Sequence, residues 1–141
     1  ESSAASDVYK RQTMNRQYAR FLQEEVCEGG KIGFVPTYGN TLMGLARNHP
    51  FGPENDYSIA YYAPQPRAVL RVLDTVSGKP VEYDHWGRVE LTTLTKEFFM
   101  PRFLERDEAI RREPWTEAPW DGVAEIRPFG AMEKKIVEGV Y

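Results

Sequence analysis

Four short segments between residues 57 and 129 constrain this chain most: YSIAYYA, RAVLRVLD, GRVELTTL and VAEIRPF. Each is rich in β-branched and aromatic residues, and Gly or Pro punctuation separates them, which predicts strands. Between the second and third, DTVSGKP carries the Ser-Gly and Lys-Pro signals of a tight connection, so those two are expected to pair antiparallel. RFLERDEAIRREP fits a helix and a strand equally well by pattern. PWTEAPW reads as a Pro- and Trp-rich surface loop, and EKKIVEGVY at the end as one more strand. The expectation is a distorted antiparallel β-barrel over residues 57–141.

The preceding part has a different texture. Met14, Tyr18, Phe21, Leu22 and Val26 recur at three- and four-residue spacing, which predicts one amphipathic helix. Gly29–Gly30 would end it in the manner of a left-handed C-cap, and KIGFV then reads as a short buried strand. That strand would lead into PTYGNT and the apolar turn LMGLA, placing polar residues at its carboxyl end, where ligands sit in α/β sheets. The expected class is therefore α/β (α+β within this chain): a helix and strand from an α/β layer over residues 13–56, then the barrel.

Residues 2–12, SSAASDVYKRQ, match the translation of a common transposase sequencing adapter at every position. This predicts that residues 1–12 are a disordered leader outside the fold and that the native frame was cut at Thr13. The remainder would then be part of a larger protein, lacking N- and C-terminal parts of its parent chain. The leader carries two charges of each sign, so the net charge is −3 with or without it. That argues against a nucleic-acid partner, which calls for a clustered basic face. No apolar run approaches the ~20 residues of a membrane span, so no membrane partner is expected and a cytoplasmic location is the default. Cys27 is the only cysteine, which excludes a disulfide framework and reads as a small hydrophobe at a helix end. His49 and His85 have no second ligand at a metal-like spacing; Lys96 and Glu97 read as surface charges at a strand end. Trp86, Trp115 and Trp120 read as packing residues, because nothing basic interleaves with them in sequence.

Three segments, in order, resemble the adenylate-forming ligase superfamily, in particular its phenylacetate–CoA ligase-like branch. TYGNT at 37–41 resembles a Tyr-Gly-x-Thr-Glu loop, WGRVELTTLTKE at 86–97 resembles a Gly-Glu-Leu strand followed by Thr-Thr-Leu-Thr-Lys-Glu, and FLERD at 103–107 resembles the stretch ending in a ribose-binding Asp. DGVAEI and EKKIVEGV further resemble the segment that crosses into the hinge before a small C-terminal domain. Together these cover nearly all of residues 13–141.

The resemblance implies a chemistry. A carboxylate attacks the α-phosphorus of ATP to give an acyl-adenylate and pyrophosphate, and a thiol, usually of coenzyme A, takes the acyl group. Tyr38 would lay its ring against the adenine, and Gly39 would let the backbone approach the nucleotide. Asn40 lies in the same nucleotide-binding loop, and Thr41, the catalytic candidate, would offer its hydroxyl to the α-phosphate. Asp107 would accept from both ribose hydroxyls, so that Tyr38 and Asp107 converge on one adenosine-sized hollow. The substrate would be a small carboxylic acid, aromatic by analogy with the branch. By their residues alone, Tyr38 and Thr41 fit a plain Gly-Asn turn, and Asp107 fits a solvated face within ERDEAIRRE.

The sequence also departs from that pattern. The Glu expected after Thr41, whose carboxylate would hold Mg²⁺, is Leu42, and an isobutyl group cannot bind a hard cation. No metal ligand is therefore assigned, and PFGAMEKK replaces the Gly-Arg and Asp-rich hinge pattern. The phosphate loop and the C-terminal domain with its lysine are both missing, so this chain alone is expected to be inactive in adenylation. Two rival readings follow: a degenerate, non-catalytic nucleotide- or acyl-binding relative, similar to some phenazine-biosynthesis proteins, and a free-standing β-barrel interaction module.

Overall fold

A computed structural model describes residues 14–27 and 31–130. The Gly29–Gly30 cap and the C-terminal EKKIVEGVY strand lie outside the described residues, as does the leader. Asn15 opens helix α1 (Arg16–Phe21) by accepting a hydrogen bond from the Tyr18 amide, and a π-helical turn, Leu22–Val26, continues it. The expected apolar face is not what α1 buries. Ala19 is its buried residue, whereas Tyr18, Phe21 and Val26 stay half-exposed. The helix is held instead by polar bonds, with Arg16 reaching Asp56 at 2.9 Å and Glu125 at 2.8 Å. Cys27 is buried at the end of the π-helical turn.

Seven strands follow: β1 (Tyr38–Asn40), β2 (Gly44–Asn48), β3 (Ala60–Tyr62), β4 (Ala68–Leu73), β5 (Trp86–Leu94), β6 (Phe99–Arg112) and β7 (Gly122–Pro128). They form one sheet in the order β1-β2-β3-β7-β6-β5-β4. Every described pairing is antiparallel. The fold is thus mixed α+β, and the expected α/β layer is corrected. A parallel layer needs long crossovers between strands, whereas β1 and β2 here are joined by a short turn.

The four segments read as strands are β3, β4, β5 and β7, and β4 pairs with β5 antiparallel from Ala68–Thr93 to Leu73–Arg88. RFLERDEAIRR resolves as strand β6, its ladder to β5 running from Trp86–Ile110 to Leu94–Phe99. KIGFV is not a strand. Residues 31–37 run irregularly, with Ile32 56% and Val35 70% exposed, and among the described residues no strand pairs with them. The PTYGNT stretch is corrected in turn: Tyr38–Asn40 is itself strand β1, and the tight turn falls later, at Thr41–Met43.

The expected barrel is an open sheet, with β1 and β4 at its two edges. The β1–β2 hairpin reaches β5 and β6 through side chains rather than through a backbone ladder. Thr93 on β5 donates from Oγ1 to the Leu42 carbonyl at 3.3 Å. Beneath the hairpin turn, Met43 is wholly buried in a core with Tyr61, Val72, Val89, Leu91 and Val123. The β5–β6 and β6–β7 ladders carry three irregularities, two of which hold a residue at positive φ. On β6, Arg102 takes φ 53° after Pro101, and its guanidinium bonds at 3.0 Å to Glu90, a carboxylate only 3% exposed. On β7, Glu125 takes φ 52° between the pairs Glu108–Arg127 and Ile110–Ala124, where β7 has one residue more than β6; this turns its carboxylate towards Arg16 and Ser58.

Candidate functional site

Two strands bring the candidate residues together. Side chains two apart on a strand share a face, so Tyr38 and Asn40 project together from β1, and Glu105 and Asp107 project together from β6. Tyr38 Oη donates to Asp107 Oδ2 at 3.4 Å and Asn40 Nδ2 donates to Glu105 Oε1 at 2.7 Å. The expected convergence of Tyr38 and Asp107, separated by 69 positions in sequence, is present as a direct contact rather than as an open hollow between them.

Local chemistry explains how the hairpin is built. The Asn40 side-chain oxygen accepts from the Leu42 amide at 3.0 Å and the Met43 amide at 2.8 Å, closing the turn that Thr41–Met43 makes. Gly39 faces Leu45 across the hairpin, and a Cβ placed on it would lie 2.0 Å from the Gly44 carbonyl oxygen. The hairpin's own backbone therefore demands a glycine at this position. Thr41 sits exposed in the hairpin turn. Leu42 packs its side chain against the core.

Burial dominates the electrostatics here. It pushes the Asp107 carboxyl above the ordinary carboxylate range, against the opposing effect of the Tyr38 hydroxyl. Burial also raises Glu105; the Asn40 amide opposes that rise and the Asp107 charge adds to it. The Tyr38 phenol is pushed strongly upward by burial and by the same two carboxylates, so it remains a hydrogen-bond donor at any physiological pH. Its ring also leans on Tyr61, with centroids 5.6 Å apart. The cluster is rich in acceptors and carries one firm donor. It suits a neutral ligand that presents hydroxyl groups, and it would repel an anion placed directly upon it.

Glu105 is the site residue that reading the sequence did not single out. Its signal is the paired spacing, Tyr38 with Asn40 and Glu105 with Asp107, which becomes visible once both segments are known to be strands. The other candidates fall into structural roles. His49 stacks edge-on against Trp115 at 4.6 Å, His85 bonds the Tyr83 carbonyl, and Lys96 and Glu97 are exposed in the β5–β6 turn. Trp86 corrects an expectation, since Arg127 from β7 lies over its ring at 3.7 Å. The cation comes from a distant strand and so left no trace in local sequence.

A larger open cleft, about 520 Å³, lies elsewhere, between α1 and the bulged Glu125. Its charges neutralise in pairs: Arg16 with Asp56 and Glu125, and Arg20 with Glu24 at 3.0 Å. Among the described residues, no group of three or more His, Cys, Asp or Glu side chains could hold a metal ion, and no helix is long and apolar enough to cross a membrane. No protein-family model matches the chain, and no curated protein sequence matches it.

Proposed function

We propose that this chain supplies the nucleoside-binding part of an ATP-dependent ligase that activates a carboxylic acid, aromatic by the branch analogy, with coenzyme A as acyl acceptor. One observation supports the reading: Tyr38 and Asp107, far apart in sequence, come together at 3.4 Å. Bound ATP would supply an electrophilic α-phosphorus and a pyrophosphate leaving group. The residues of this chain would bind and orient it. Asp107 would accept from the ribose hydroxyls in place of its long bond to Tyr38, and two charge-assisted bonds to hydroxyls are stronger than one weak neutral donor. The exposed Thr41 hydroxyl would lie nearest the phosphates, beyond the repulsion of Glu105 and Asp107. Holding the nucleotide in one orientation is the main contribution such a site makes to rate.

The donor set does not fit Mg²⁺. Leu42 packs on the core where a carboxylate would be needed, so no step is assigned to a metal through this chain. That same observation favours a second reading, a relative that binds the nucleotide without activating an acid.

Titration of the ¹⁵N-labelled 141-residue chain with AMP tests the first step. Shifts centred on Tyr38 and Asp107, abolished by Asp107→Asn, are expected; an unperturbed spectrum would refute the reading. Pyrophosphate exchange by the parent protein, with a panel of aryl and alkyl acids, separates the two readings. Exchange with any acid establishes the ligase, and AMP binding without exchange establishes the binder.

A further inference from the structure

We infer that Glu105 is a positioning residue of the nucleoside site: its carboxylate grips Asn40 and thereby seats Tyr38 beside Asp107. The inference rests on the nucleotide-binding reading above and deepens it. Its ground is the inequality of the two rungs. Asn40 to Glu105, at 2.7 Å, is a short charge-assisted bond, whereas Tyr38 to Asp107, at 3.4 Å, lies at the outer limit of hydrogen bonding. The short rung fixes the hairpin on β6. The long rung leaves Asp107 loosely engaged and exchangeable with ligand hydroxyls.

Asn40 divides its work between the ends of one amide. The oxygen closes the hairpin turn through Leu42 and Met43, and the nitrogen holds Glu105. Removing Glu105 therefore releases the hairpin from β6 while leaving the turn itself closed, so loss of seating is separable from loss of folding. The buried Met43 and the Thr93–Leu42 bond retain the hairpin near the sheet in that variant. What changes is the aim of Tyr38.

The test is a double-mutant cycle on AMP affinity with the full 141-residue chain, using Glu105→Ala, Asn40→Ala and their combination, with Glu105→Gln as the conservative variant. A hydrogen bond to a charged group, even one with an exposed donor, predicts that Glu105→Ala raises the AMP Kd about tenfold. The glutamine carbonyl still accepts from Asn40, so Glu105→Gln should stay within about threefold of wild type, and the double variant should bind no worse than the weaker single one. Additive losses, or wild-type affinity in Glu105→Ala, overturn the inference. The Asn40 side-chain amide resonance, recorded without nucleotide, supplies an independent readout: it should move in Glu105→Ala and hold close to its wild-type position in Glu105→Gln. An unmoved resonance overturns the Glu105–Asn40 link itself. A moved resonance in a protein whose wild type binds no AMP overturns the nucleotide reading, and the positioning role with it.

Discussion

Met43→Ala is the sharpest test of how the candidate site is held. Met43 is the wholly buried residue of the hairpin turn, packed into the main core. Truncation removes the equivalent of about three methylenes, which at ~0.8 kcal/mol each is about 2.4 kcal/mol of lost transfer free energy. The hole left behind adds to that, because neighbours anchored in β4 and β5 relax only partly, so the total should be about 3–4 kcal/mol. For a domain of roughly 100 ordered residues, each kcal/mol lowers Tm by about 4–6 °C. A fall of about 12–24 °C is expected, read by far-ultraviolet circular dichroism and checked by urea denaturation. Met43→Leu, which nearly conserves volume, should cost less than about 1.5 kcal/mol. The functional corollary is that Met43→Ala weakens AMP binding at temperatures well below its own melting transition, since the hairpin loses its anchor before the sheet fails. A loss of less than about 1 kcal/mol would refute the reasoning, because it falls below the observed range for truncating a buried methionine.

Asp107 and Glu105 are both raised by burial, so the folded protein holds their protons more tightly than the unfolded chain does. Their contribution to stability is therefore complete below the ordinary carboxylate range and is lost as pH rises through the folded pKa values. AMP affinity should run the opposite way, rising as Asp107 ionises; Asp107→Asn should flatten the affinity profile and reduce the pH dependence of stability to the share of Glu105, and unchanged profiles would count against the site. At the β6 bulge, Arg102→Ala strands the buried Glu90 and should cost about 1–3 kcal/mol, the upper range for breaking a buried pair being reduced by the exposure of Arg102. Arg102→Gly loses the same bond but relieves the positive φ, so it should melt later than the alanine variant by about 1 kcal/mol. Leu94, Phe99 and Leu104 lie largely exposed on the β5–β6 hairpin. Phe99→Ser combined with Leu104→Ser should reduce self-association of the isolated chain, measured by sedimentation at several concentrations.

The strands that sequence revealed were those whose side chains alone decide the matter. β3, β4, β5 and β7 are short, β-branched and bounded by turn residues, and each is half or wholly buried. β6 was ambiguous because its apolar residues come in adjacent pairs, Phe103–Leu104 and Ala109–Ile110, between charged runs, which decides for neither period; its ladder to β5 decides for the strand. KIGFV failed for the opposite reason: an apolar run supplies the composition of a strand but not its partner. Gly39–Asn40 carries a turn signal that the fold uses one step later, with Asn40 closing a turn it does not itself occupy. The contact between Tyr38 and Asp107 was foreseen only through family resemblance, since nothing in the spacing of two residues so far apart fixes their distance. Glu105 needed side chains from two strands to meet before it became visible at all.

The position of β7 bears on how this molecule comes into being. β1 to β3 and β4 to β6 are each contiguous in sequence, yet in the ladder they meet only across the late strand Gly122–Pro128. Loop closure over so long a separation is slow. A nascent chain that has emerged only as far as Arg112 holds two wings not yet joined by a backbone ladder, with Tyr38 on one and Asp107 on the other. The continuous sheet would thus be completed in a single late step, as the keystone strand docks, and not accumulate as each wing folds.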